Sequence, residues 1–347
     1  MSLAFMRKAL SAAVAMTMAW GFMTLSAHAQ DQAAFFKGKT VRIIVGFGAG
    51  GGYDAYARMI EPYLGRALGA TVIVENLPGA GGVTALNRTY VAPADGLNMM
   101  LVNGTAAGLS QIVGQSGVQY DLSNFGHLGL VSASPWVWLV NPTNPLVTTA
   151  QEALKPGLKI RWGASGPIDG MSDGAAVTCE ALKLDCKIVI GYKGTADVAL
   201  AVQRGEMDSL YLSDTSANNY VKSNQNRPVA SMSREKSRFF PELPTIFEAV
   251  KLTPEQEWWF DFRATLDNLG RILVVPPNMP ADRLAYLQGV VDKVLHDPAL
   301  IAEGEKSQRY VGFQDAEKTR AMVMSVIANL TPEQKARVNT VVTEKFR

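Results

Sequence analysis

Five glycines fall within seven residues in GFGAGGG, Gly46 to Gly52, directly after the apolar run TVRIIV and before a stretch with helical spacing. Bare backbone at the end of a strand can serve two kinds of chemistry. Gly46, Gly48 and Gly51 satisfy the G-x-G-x-x-G spacing that carries a dinucleotide pyrophosphate, and Glu75 ends the next apolar run about where a ribose-binding acid is expected. The same glycines can instead turn sharply and offer N–H groups to a small anion, backed by the positive end of the following helix. Gly52 extends the run, so the helix starts later than the dinucleotide fingerprint requires. The device also recurs at NGTAAG (103–108), SGPIDGMSD (165–173) and YKGTAD (192–197), each where a strand should give way to a helix. Thr105, Ser165, Ser172 and Thr195 add hydroxyl donors to these loops. One Gly-rich turn can simply close tightly; four that reach one cleft favour a bound anion.

Sets of residues fit for catalysis are scarce. Apart from His28, near the N-terminus, the imidazoles are His127 and His296, and neither has zinc-ligand spacing. GASGP (163–167) has Pro167 where a nucleophile elbow needs its last glycine. Asp54 and Arg58 stand at i, i+4 and read as a helix pair, and WVW and EWWFDF read as core or hinge packing. The expectation is a binding protein with no enzyme activity, cofactor or metal.

The elements that position these loops alternate. TVRIIVGF (40–47), TVIVEN (71–76) and NMMLVN (98–103) read as strands, with helices at 53–69 and 83–92 between them. HLGLVSASPWVWLVNP (127–142) is almost continuously apolar and reads as one long strand leaving the first unit. The pattern then restarts with LKIRWGAS, CKIVIGY, MDSLYLSD and RPVASMS as strands, and GRILVVPPNMP (270–280) reads as a return strand before C-terminal helices. Two α/β units joined by an outward and a return crossing make a bilobed protein with a cleft.

Arg7 and Lys8, an uncharged apolar stretch from Ala9 to Leu25, and Ala27-His28-Ala29 together read as a cleavable export signal over residues 1–29. The whole chain carries 33 basic and 31 acidic side chains, and a surface so balanced argues against nucleic-acid binding. Cys179 and Cys186 lie seven apart; export permits a disulfide, and the spacing leaves its formation open.

VRIIVGFGAGGGYDAYAR, VENLPGAGG, GYKGTADVALAVQRGEMD, FPELPTIFEA and VVPPNMPADRLAYLQGVVDKVLHDP together resemble the tripartite tricarboxylate transporter substrate-binding family, the Bug proteins, from about Lys39 to Gln314. The resemblance implies a type II periplasmic-binding-protein fold, with one lobe from residues 30–137 and 269–347 and the other from 138–268. It implies a periplasmic protein that captures a small organic carboxylate and delivers it to integral-membrane permease subunits; helix N-termini on both lobes suit a dicarboxylate before an aromatic acid, and a monomer is expected. Carried over by position, the first-lobe ligand contacts are Phe47, Gly48, Gly50, Gly51, Gly52, Tyr53 and Asp54, with Asn103, Gly104 and Thr105. Those of the second lobe are Ser165, Gly166, Asp169, Gly170, Met171 and Ser172, then Tyr192, Lys193 and Gly194, with Ser213 and Asp214. The chain departs from the family pattern at Gly48 and Ala49, where many members have prolines, and at Tyr53, where many have threonine. SGPIDGMS likewise replaces a common Gly-x-Gly-Ser loop.

Overall fold

The computed structural model describes residues 31–143, 147–328 and 330–347; the export signal expected over 1–29 lies outside them. After a short helix over residues 31–36 (α1), the strands fall into two five-stranded sheets. The first contains β1 (Thr40–Val45), β2 (Thr71–Asn76), β3 (Asn98–Asn103), β4 (Gly126–Ser132) and β10 (Arg271–Val275), in the order β2-β1-β3-β10-β4. The second contains β5 (Trp136–Val140), β6 (Lys159–Gly163), β7 (Asp185–Val189), β8 (Ser209–Ser213) and β9 (Arg227–Ser231), in the order β7-β6-β8-β5-β9. This is the bilobed α/β architecture expected from the alternating pattern.

In each sheet the strand delivered by a crossing runs against its neighbours: β10 is antiparallel to β3 and β4, and β5 to β8 and β9. Both are buried along their whole length, which explains runs of apolar residues without alternation. Strands β1, β2 and β3 lead into α2 (Gly52–Leu68), α3 (Val83–Tyr90) and α4 (Gly104–Ile112), and β6, β7 and β8 into α5 (Met171–Leu182), α6 (Thr195–Gln203) and α7 (Asp214–Lys222). Strand–helix junctions therefore gather at the carboxyl ends of the strands, where the Gly-rich loops lie.

One reading needs revision. The apolar run 127–142 is two strands in two different sheets, interrupted at Ala133-Ser134-Pro135. Pro135 has no N–H to extend a ladder, and its carbonyl instead accepts from Asp214 N at 2.9 Å. The EWWFDF segment lies on a 14-residue helix, α9 (Pro254–Asp267), which follows the short α8 (Ile246–Ala249) and runs into the return crossing. A capping box of Thr253 and Gln256 starts it, with proline in its first turn. Trp259 and Phe260 on this helix are fully buried, consistent with packing. Cys179 and Cys186 form a disulfide between α5 and β7, with Cα atoms 6.2 Å apart. The chain ends in α10 (Ala281–Leu295), α11 (Pro298–Lys306), α12 (Ala316–Ala328) and α13 (Pro332–Thr343); α13 packs on α5.

Candidate functional site

The loops from the two sheets touch. Gly48 N donates to Lys193 O at 2.9 Å, and the Asn103 side-chain amide donates to Asp169 O at 2.9 Å. A Cβ on Gly166 would lie 2.3 Å from Gly81 N, so the second Gly-rich loop of the first lobe meets the 165–172 loop backbone to backbone. Between these contacts is a cavity of about 20 Å³ lined by Phe47, Gly51, Gly52, Tyr53, Trp136, Asp169, Met171 and Thr195. Six of these are sequence-predicted contacts, and Thr195 is one of the expected hydroxyls. Trp136 was read as packing; it stacks on Tyr211 at 5.2 Å while presenting itself to the cavity.

The other predicted residues take different positions. Asn103 caps α4 through Ala106 N, Gly104 N donates to Gly270 O, and Thr105 Oγ1 donates to Leu266 O at 2.9 Å. Gly104 and Thr105 thus grip the return crossing. Tyr192 N donates to Ala164 O, and Gly194 packs against Gly48. Asp214 faces the loop after β9: Ser237 Oγ donates to it at 2.9 Å, and burial lifts its carboxyl above the usual range.

Much of the loop backbone is already satisfied by the chain's own carboxylates. Asp54 accepts from Gly50 N at 2.9 Å; burial opposes its charge, but Arg58 and that N–H hold it below the usual carboxylate range. The Asp54–Arg58 helix pair expected from spacing is present at 2.9 Å. Asp169 accepts from Ser165 N, Gly166 N and Ser172 N, and from Ser165 Oγ at 2.6 Å. Ser172 Oγ donates to Pro167 O at 2.8 Å, so both serine hydroxyls shape their own loop. Asp197 takes Lys193 N, and Asp173 takes Gly170 N. Asp54 and Asp197 stand in the first turns of α2 and α6, yet these helices begin at Gly51 and Gly194 without a side-chain cap. Their first turns meet the cavity from opposite lobes.

The glycines of the dinucleotide fingerprint have other work. A Cβ on Gly46 would lie 2.9 Å from Gly82 Cα, so Gly46 seats one Gly-rich loop on the other. Glu75 is engaged by Arg42 at 3.5 Å and Arg88 at 3.4 Å.

Sequence reasoning also missed Arg271, the first residue of β10. Its guanidinium is buried and donates to Ser132 Oγ at 3.2 Å, Ser213 Oγ at 2.9 Å and Ser216 Oγ at 3.1 Å. The signal was a charged residue heading the otherwise apolar RILVV. Among the described residues no group of His, Cys, Asp or Glu is placed to hold a metal ion, and no helix is long and apolar enough to cross a membrane.

A family model described as "Tripartite tricarboxylate transporter family receptor" matches residues 56–302. A protein of the UPF0065 group from Bordetella pertussis is 25% identical over 283 residues, covering 80% of this chain and 81% of its own. The fold is similar to that of MatC from Rhodopseudomonas palustris with bound malate, at TM-score 0.69 and 22% identity over 88% of this chain and 99% of that one. It is also similar to a second R. palustris protein, solved with adipate, at TM-score 0.72 and 20% identity over 87% and 97%.

Proposed function

Because the chain belongs to the tripartite tricarboxylate transporter receptor family, a family of solute-binding proteins and not of enzymes, we propose that it captures a small organic carboxylate between its lobes and delivers it to a membrane permease from the periplasm. The observation that carries this reading is the meeting of two uncapped helix N-termini, α2 and α6, at one cavity. Each brings first-turn N–H groups and the positive end of a helix, a combination that suits an anion. A ligand held from both sides binds the closed form better than the open one, and this differential affinity drives closure. Malate and adipate in the two structural neighbours favour a dicarboxylate.

One observation favours an aromatic acid instead: Phe47, Tyr53 and Trp136 all line the cavity, and Phe47 and Tyr53 rings stand 5.1 Å apart. A flat ring packed against these faces would address the same helix ends only after the lobes part, because rings this close leave no room between them.

Thermal denaturation against malate, adipate, citrate, terephthalate, a polyamine and a neutral sugar tests the proposal. A ligand at one hundred times its dissociation constant stabilises the fold by about 2.7 kcal/mol, so one class of carboxylate should raise the midpoint clearly. A shift with the amine or sugar alone rejects the anion reading. Gly166→Ala should weaken the response, since its Cβ would meet Gly81 N at 2.3 Å and wedge the lobes apart; small-angle scattering should show the variant failing to compact on adding the active ligand.

A further inference from the structure

The chain's own aspartates hold many N–H groups of the Gly-rich loops, so the charge that would select an anion has to come from elsewhere. Two arginines are buried among the described residues, Arg263 and Arg271. Arg263 is tied to Asp173 and Asp267. Arg271 is 4% exposed, is held by three serine hydroxyls, and has no carboxylate of the described residues within ion-pair distance. Its Nε has no hydrogen-bond partner among the described residues. Two aromatic faces complete its surroundings, Tyr56 at 4.4 Å and Tyr53 at 5.1 Å. Hydroxyls orient a guanidinium but do not neutralise it, and Asp214, the buried acid on which its charge acts, is pushed by burial toward its neutral form.

Its place relative to the cavity is defined by Gly52. A Cβ there would come 3.2 Å from Arg271 Nη2 and 2.1 Å from Ser216 Oγ, so the start of α2 rests directly on the guanidinium. Gly52 and Tyr53 line the cavity on their other side. We propose that Arg271 supplies the positive charge that makes this cavity select an anion, acting through the uncapped first turn of α2 and the ring of Tyr53. Over one helical turn of protein interior, such a charge is screened far less than in water. Tyr53, whose hydroxyl burial pushes above its ordinary range and toward which Arg271 pulls in the opposite sense, remains a neutral phenol at physiological pH.

This inference rests on the carboxylate reading of the cavity, and the two can fail separately. Calorimetry would compare wild type, Arg271→Gln, Arg271→Lys, Ser213→Asp and Ser213→Asn with malate, adipate, citrate and terephthalate, and with the amide of whichever the wild type binds. Arg271→Gln should weaken the carboxylate at least tenfold without weakening the amide, and Arg271→Lys should fall between it and wild type. Ser213→Asp gives the guanidinium the acid it lacks, so it should bind the carboxylate at least tenfold more weakly than the isosteric Ser213→Asn. If Arg271→Gln proves unfolded by circular dichroism, the Ser213 pair decides alone. Equal affinities in wild type and Arg271→Gln, or in the two Ser213 variants, overturn the role of Arg271 and leave the carboxylate site standing. A wild type that binds none of the four acids overturns both.

Discussion

Arg263 and Arg271 flank the return crossing, one near the end of α9 and the other at the head of β10, and both are nearly free of solvent. Arg263 sits 3.0 Å from Asp173, bonds Asp267, donates to Gly170 O at 3.2 Å, and lies over the rings of Trp136 and Tyr211. Burial opposes its charge, but the two aspartates hold its guanidinium above the ordinary arginine value. Arg271 has serines where Arg263 has aspartates. A fully paired cation fastens the second-lobe loop at 170–173 to the crossing helix and has no charge left to offer. A cation held only by hydroxyls keeps its field, and in a cleft that field has a use.

The largest expected effect comes from breaking the paired member. Arg263→Met strands Asp173 and Asp267 in the interior, and removing one partner of a buried ion pair costs about 3–5 kcal/mol. Urea denaturation should show this as a large drop in midpoint. Arg271→Met breaks no ion pair among the described residues, although it removes a charge that partly offsets the burial of Asp214; Ser213 and Ser216 keep the hydrogen bond between them, so Ser132 is the hydroxyl left to find a partner, at about 1–3 kcal/mol. Similar losses in the two variants would break the contrast. The reverse ranking would mean that Arg271 has an ionic partner in solution.

The contrast also marks what could be read from sequence. Strand–helix alternation carried the two sheets, because buried parallel strands leave unmistakable apolar runs between Gly-rich turns, as in TVRIIVGFGAGGG. The break at Pro135 was hidden because both β4 and β5 are buried throughout, and continuous apolarity does not show where one sheet ends. The first-lobe loop was legible at Phe47, Gly51, Gly52 and Tyr53, where glycine density has a local backbone reason. Arg271 was not, since its importance lies in what surrounds it: Ser132 comes from one distant stretch of chain, and Ser213 and Ser216 from another. Nor could spacing reveal that Asp169 folds back onto Ser165, Gly166 and Ser172, which turns expected ligand donors into loop scaffolding.

The smallest effect probes the acids around Arg263. Asp267 is pushed up to about 7, first by burial and then by Asp173, with Arg263 acting against the rise. An acid raised in the folded state holds a proton that the unfolded chain has released. Its stabilising contribution is therefore present at low pH and declines as pH rises from about 4 through about 7. Between pH 6 and pH 8 that decline is about 1 kcal/mol. His127, buried and lowered to about 4, works the other way, because the unfolded imidazole takes up a proton as pH falls through its ordinary value while the folded one does not. The wild-type curve alone would thus blur the signal, and the quantity to measure is the stability difference between wild type and Asp267→Asn at each pH. That difference should shift by about 1 kcal/mol in favour of the variant from pH 6 to pH 8, because asparagine has no proton to lose. A difference that stays flat would mean Arg263 keeps Asp267 ionised throughout, making the arginine's pairing stronger than its burial suggests and the contrast with Arg271 sharper.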